Sequence, residues 1–220
     1  MKYFDSLCSN FEGTEARVII GEGGKVLKSS LSGKIAIEAY STISRSEVCG
    51  YLGMGCFSLV SRSDVERYVT IGSRVSVGAF NHPTGFFSVM EFQYRSCLDT
   101  YGEEIEERRR VVVDELGVTE IGGDVWIGDN AFVKAGVKVA TGSIIGACSV
   151  VTKDTLPYHI YAGNPARVIR ARMPEALISR YLSSAWWRRL DISDLASVEF
   201  RDQARAIEQV EEIIRLKEAM

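Results

Sequence analysis

No stretch of the 220-residue sequence carries the roughly 20 consecutive apolar residues that a membrane-spanning helix needs, and the opening segment MKYFDSLCSNFEG has no apolar run of signal-peptide length. Both absences predict a cytoplasmic protein with no membrane span. An excess of positive charge is missing too. The 26 basic residues stand against 29 acidic ones, a net charge of −3, which provides no basic field to draw in nucleic acid or anionic lipid. An anionic ligand would have to be met by a local cluster. Histidine is scarce, with only His82 and His159. A catalytic zinc held by about three histidines is therefore out of reach, which argues against a metal-dependent hydratase, and no metal is expected. The five cysteines, Cys8, Cys49, Cys56, Cys97 and Cys148, are odd in number, widely spaced and free of CxxC pairs. They read as reduced, mostly buried thiols.

What the sequence does have is a period. From Ile121 an aliphatic residue returns every six positions: Ile121, Ile127, Val133, Val139, Ile145, Val151. Four places after each stands a small or β-branched residue: Val125, Ala131, Val137, Ser143, Ser149, Thr155. A helix needs three- and four-residue spacing and a simple strand needs alternation, so neither template fits. A six-residue period fits a coil whose wall turns at regular intervals, one aliphatic side chain per short strand pointing to the axis, with successive coils stacked as parallel strands.

The period appears earlier as Leu59, Val65, Ile71 and Val77, and further upstream, in a different phase, as Ile19, Leu31, Ile37 and Ile43. The change of phase predicts an inserted residue or bulge between positions 50 and 55. Residues 81–117 abandon the period, a long excursion of the kind that is usually functional or disordered. Its EEIEERRR run reads as a solvated segment. After Pro157 the repeat ends, and segments 174–190 and 202–217 have amphipathic helical patterns suited to covering an open solenoid end. The expected organisation is a β-solenoid domain over 1–170 with a protruding loop at 81–117, followed by a helical cap or tail over 171–220.

The run IGGDVWIGDNAFVKAGVKVATGSIIGACSVVTKDTLPYHIYAGNPARVIRAR resembles the C-terminal coils of hexapeptide-repeat acyltransferases. The segment VTIGSRVSVGAFNHPTGFFS narrows the resemblance to the xenobiotic acetyltransferase branch and the related sugar O- and N-acetyltransferases. The likeness covers roughly residues 15–190. It implies a mainly β fold, a left-handed parallel β-helix, against the usual right-handed crossover. It further implies a homotrimer with active sites between subunits, acetyl-CoA as acyl donor, and a small hydroxyl- or amine-bearing acceptor. The acceptor expected is a sugar or glycan precursor, with an antibiotic as the alternative and a non-catalytic β-helix scaffold as the reading from another class.

Acyl transfer from a thioester needs a base for the acceptor's proton, and histidine is the side chain best suited near neutral pH. His82, where the repeat gives way to the loop, matches the family's catalytic histidine. His159 follows the last coil and reads as structural. Another branch carries its histidine shortly after the WIG motif, where this chain has Asp129 and Asn130. No orienting partner for His82 can be named beyond Glu91, by proximity alone. Cys148, in a regular hexad with no nearby histidine, is a poor nucleophile candidate.

Trp126, last in its hexad, should face outward at a turn. The resemblance makes it a wall of the acyl and pantetheine site. With three hexads per coil, residues eighteen apart stack about 4.8 Å from one another, so Ala135 lies under Lys153, and Asp129 and Ala147 form a neighbouring column. Such columns offer close approach to backbone and a cation for phosphate. The resemblance carries Trp126, Ala135, Ala147, Lys153 and Arg167 to the cofactor, with Arg170 and Arg172 divided between that role and plain solvation. Asn81, Phe87 and Tyr94 are assigned to the acceptor. The aromatics Phe86, Phe87, Phe92 and Tyr94 serve either to enclose it or to pack the loop against a neighbouring subunit. Trp186 and Trp187 read as packing residues.

Overall fold

The computed structural model describes residues 17–79, 81–103, 105–110 and 117–219. The chain forms two compact units, Met1–Ala79 with Val118–Met220, and Phe80–Gly117.

In the first unit short strands wind into a three-faced solenoid. The first face has eight strands, Arg17–Ile20 through Arg167–Ala171; the second has six, Lys25–Leu27 through Val150–Val151; the third has five, Ser30–Ser32 through Lys138–Val139. Neighbours within each face pair in parallel until the end of the first face, where Arg167–Ala171 returns antiparallel on His159–Ala162. Each short strand turns one aliphatic side chain inward. Ile43, Val60, Val77, Ile127, Val133, Val139 and Ile145 are fully buried in one continuous core. Burying each such side chain contributes on the order of 1.5–3 kcal/mol, which offsets the loss of backbone freedom in coils with little helix or hairpin structure of their own.

The register explains the shift in sequence phase. In the N-terminal coils Lys25 pairs with Thr42 and Thr42 with Leu59, a step of 17 residues. In the C-terminal coils Trp126 pairs with Ile144 and Phe132 with Val150, a step of 18. The missing residue is lost at one edge, between the second and third faces, where inward positions run Ile43 to Val48 and Val60 to Val65. Lys28, Arg45 and Arg62 make that tight edge with φ near +50° (50°, 50° and 49°), whereas the later coil passes through Gly136 at +76°. The single slip expected at positions 50–55 is therefore corrected to one short edge in each early coil. Leu59 and Ile19 are not axis residues: Val60 is the buried member of its strand, and Val18 and Ile20 pack on the core.

The same edge is where the chain departs. Thr70 pairs with Trp126, 56 residues on, where an 18-residue step would suffice; the surplus of 38 equals the length of the unit Phe80–Gly117. Strand pairing resumes across the excursion with one irregularity, a bulge between Val77 and Ala79 at the point of departure. Buried hydroxyls support the turns. Ser58 Oγ donates to the Gly72 carbonyl (2.8 Å) and accepts from the Val75 amide (3.0 Å), and Ser41 repeats the pattern one coil earlier.

The tail forms helices Glu175–Ser184, Trp186–Arg189 and Gln203–Glu218, the last capped by Asp202, which accepts from the Ala204 and Arg205 amides. The helices run back along the edge between the third and first faces. Met173 and Ile178 pack on Tyr158, while Trp186 meets Tyr68, which stacks on Tyr51 with ring centroids 4.6 Å apart. A tail expected to cover the open end thus lies along the side of earlier coils, because corner aromatics there supply the apolar surface. No described helix is long and apolar enough to cross a membrane.

Candidate functional site

Within the Phe80–Gly117 unit the described residues make 3-10 turns at Glu91–Gln93 and Glu107–Arg109 and a short helix at Leu98–Tyr101. His82 is exposed. Its Nδ1 lies 2.7 Å from the Val89 carbonyl oxygen and 3.0 Å from the Tyr94 hydroxyl. A carbonyl can only accept, so Nδ1 carries the hydrogen and donates it. The neutral ring's lone pair then sits on Nε2, the state a general base requires. Tyr94 meets the imidazole edge to face, centroids 6.4 Å apart. Desolvation, and secondarily the Glu91 charge, push the Tyr94 phenol above its ordinary pKa. Glu91, the partner suggested by proximity, is engaged by Arg95 at 3.1 Å. The orienting group identified at Nδ1 is the backbone oxygen of Val89, which no side-chain pattern announces. Asn81 is half-buried, and Phe87 is 96% exposed.

The residues expected to hold cofactor lie in the first unit, on more than one edge. Trp126 is 51% exposed on the first face, in a strand rather than at a turn, with Thr70 and Ile144 as neighbours. The outward column continues apolar through Ile144 and Ile160. The third face is different: its outward column carries Glu47, Asp64, Glu120 and Lys138, the last two paired at 2.7 Å. Ala147 is exposed at the edge between the first and second faces. Ala135, buried, and Lys153, exposed, each follow by two places a residue of the Val133–Val151 pair, and so occupy the edge between the second and third faces. Arg167 opens the returning strand of the first face and donates to the Ala166 carbonyl at 3.0 Å.

Three neighbours are structural. Asp129 accepts from the Ser73 amide and, through its carbonyl, from the Cys148 amide, both at 2.8 Å, tying three coils. Arg172 points inward to Asp124 (2.9 Å) and the Gly142 carbonyl (2.7 Å) and lies over the Tyr158 ring. Burial raises the Asp124 pKa and Arg172 opposes the rise. His159 Nδ1 is bonded to the Pro157 carbonyl at 2.8 Å. Cys97 is the buried member of the described thiols; Cys49 and Cys148 are exposed and Cys56 is intermediate, which corrects the expectation of mostly buried cysteines. Cys8 lies outside the described residues. Among the described residues no group of three or more His, Cys, Asp or Glu is placed to hold a metal ion.

The first unit is thus a three-faced parallel solenoid whose later coils keep an 18-residue step, and the chain leaves it once for the unit that carries His82. Residues 119–153 match the family described as bacterial transferase hexapeptide (six repeats). The chain is 36% identical over 113 residues to a chloramphenicol acetyltransferase of Escherichia coli, covering 51% of each chain. It is 46% identical over 71 residues to a probable macrolide acetyltransferase of Lysinibacillus sphaericus, 32% of this chain and 39% of that one. The chain spans about half the length of the first curated relatives it matches. Among solved structures it is similar to a mutant of AntD, an N-acyltransferase from Bacillus cereus in complex with dTDP-4-amino-4,6-dideoxyglucose and coenzyme A. That likeness has a TM-score of 0.58 at 20% identity, over 77% of this chain and 90% of the other, and it is a likeness of fold.

Proposed function

We propose that this protein transfers an acetyl group from acetyl-CoA to a hydroxyl or amine of a small acceptor, with His82 as general base. The observation that carries the reading is the Nδ1 contact to Val89, which leaves the basic lone pair on Nε2. In the proposed reaction Nε2 takes the acceptor's proton as the acceptor oxygen or nitrogen bonds to the thioester carbonyl carbon. The carbon–sulfur bond then breaks, and the imidazolium returns the proton to the leaving sulfur. No acyl-enzyme is needed. Trp126, Ala135, Ala147, Lys153 and Arg167 are proposed to receive the cofactor, with Asn81, Phe87 and Tyr94 toward the acceptor.

The distribution of the cofactor residues supports a site shared between copies. A ligand following one edge of a single chain meets either Ala135 and Lys153 or the residues of the first face. A ligand between two copies meets one set from each. Such contacts join unlike faces, the kind of interface from which a ring such as the proposed homotrimer is built when the rotation closes. The apolar outward column through Trp126, against the charged column of the third face, is consistent with the first face being covered.

The acceptor can be a sugar or glycan precursor or an antibiotic. One observation favours the second: the curated relatives the chain matches include chloramphenicol and macrolide acetyltransferases, at 36% and 46% identity. His82→Ala should lower turnover by about two to four orders of magnitude and leave coenzyme A binding intact by calorimetry. Wild-type turnover in that variant would overturn the assignment, and no binding at millimolar cofactor would favour a scaffold.

A further inference from the structure

We infer that Gln93 is a positioning residue for His82, acting through the main chain of Val89. The inference rests on the assignment of His82 as base, but its structural content can be tested separately. Gln93 is 7% exposed. A buried primary amide must find partners for both of its ends. Here the partners are the backbone groups on either side of Val89. The Gln93 oxygen accepts from the Ser88 amide at 3.1 Å, and the nitrogen donates to the carbonyls of Ser88 and Met90, the latter at 3.2 Å. Ser88 adds a further tie, its hydroxyl accepting from the Met90 amide at 3.1 Å.

Gln93 therefore holds the 88–89 and 90–91 peptides, the Ser88 hydroxyl holds the 89–90 peptide between them, and the Val89 carbonyl of that middle peptide is directed to His82 Nδ1 at 2.7 Å. Residues 81–90 have no helix or strand of their own, so without the clamp the carbonyl would wander and the imidazole would sample both tautomers. The clamp needs an amide. A glutamate of the same shape has no donor and would set a charge against two carbonyl oxygens, and a leucine has neither donor nor acceptor.

The test uses the full-length protein labelled with 15N, in which the only histidine signals are those of His82 and His159. The His159→Gln variant assigns them. In the native protein at a pH where the ring is neutral, His82 should show the Nδ1–H tautomer. Gln93→Leu and Gln93→Glu should shift it toward the Nε2–H form that free imidazoles prefer, while the His159 signals stay in place and report an intact solenoid. In both variants kcat should fall about 10- to 100-fold with KM for acetyl-CoA unchanged, the cost of a misaimed base. Either an Nε2–H tautomer in the native protein or an unaltered Nδ1–H signature in a folded Gln93 variant overturns the inference. If the tautomer shifts as described but His82→Ala keeps its activity, the clamp stands and the catalytic assignment is what fails.

Discussion

The indole N–H of Trp187 donates to Glu66, and the ring lies against Gly123, where an added Cβ would stand 2.0 Å from its Cδ1 atom. Arg188 bonds to the same carboxylate. Two residues of the tail are thus anchored to one acid of the solenoid and to a glycine that makes room for the ring.

Removing that anchor should loosen the tail. Trp187→Ala is expected to cost about 3–5 kcal/mol, as for other buried large aromatics. Gly123→Ala should cost about 1–3 kcal/mol by displacing the ring. Urea unfolding curves check both, and a Gly123→Ala midpoint equal to the native one would contradict the contact.

Acid should act on the tail as well. Asp194 is held below its ordinary value of 3.8, chiefly by Lys217 and then by the Asp191 amide. Glu211 is held below 4.5, chiefly by Arg180. A carboxylate with a depressed folded-state pKa adds stability that is complete above the ordinary value and is lost as pH falls through the depressed one. In a Trp126→Phe background, the fluorescence of Trp186 and Trp187 should report loosening below about pH 4. An unchanged spectrum there would show that these pairs do not hold the tail.

Adjacent residues 126 and 127 should behave oppositely. Ile127 is fully buried, so Ile127→Ala is expected to cost about 2–5 kcal/mol of unfolding free energy. Trp126→Ala should stay within about 0.5 kcal/mol in a dissociated chain, as for other surface sites. Its effect should appear instead in coenzyme A affinity or oligomer mass. A large loss of chain stability would show that Trp126 is a packing residue.

Arginines close in sequence should also separate. Arg172→Ala should destabilise the fold by about 1–3 kcal/mol, since it leaves Asp124 without its cation. Arg167→Ala and Lys153→Ala should leave unfolding unchanged and weaken coenzyme A about two- to fivefold each, the usual strength of exposed charge pairs. Calorimetry and thermal melts distinguish the two patterns, and unaltered affinity in both surface variants would remove them from the cofactor site.

The later coils were legible because inward residues there are six apart without interruption, from Ile121 to Val151, and this matches their 18-residue step. The earlier coils were harder to read. A five-residue step once per turn moves Val60 rather than Leu59 onto the axis, and the left-handed residues at that edge, Arg45 and Arg62, are not glycines that would mark it. His82 stood out by residue type and motif. What holds its ring did not, because the Val89 carbonyl is a group every residue possesses and its placement comes from tertiary contacts of Gln93. The inward turn of Arg172 was hidden for a similar reason: its partner Asp124 is 48 positions away.

The match between the 38-residue excursion and the 38 residues that separate Thr70 from an ordinary step to Trp126 makes the loop a cassette. The strand that leads into it, Ser76–Ala79, takes up the departure in a bulge between Val77 and Ala79, and the faces pair as before beyond it, so loops of other lengths and compositions can be spliced at the same point without re-threading the coils. Under the proposed function, acceptor choice would then diversify in one segment while the stacked platform stays fixed.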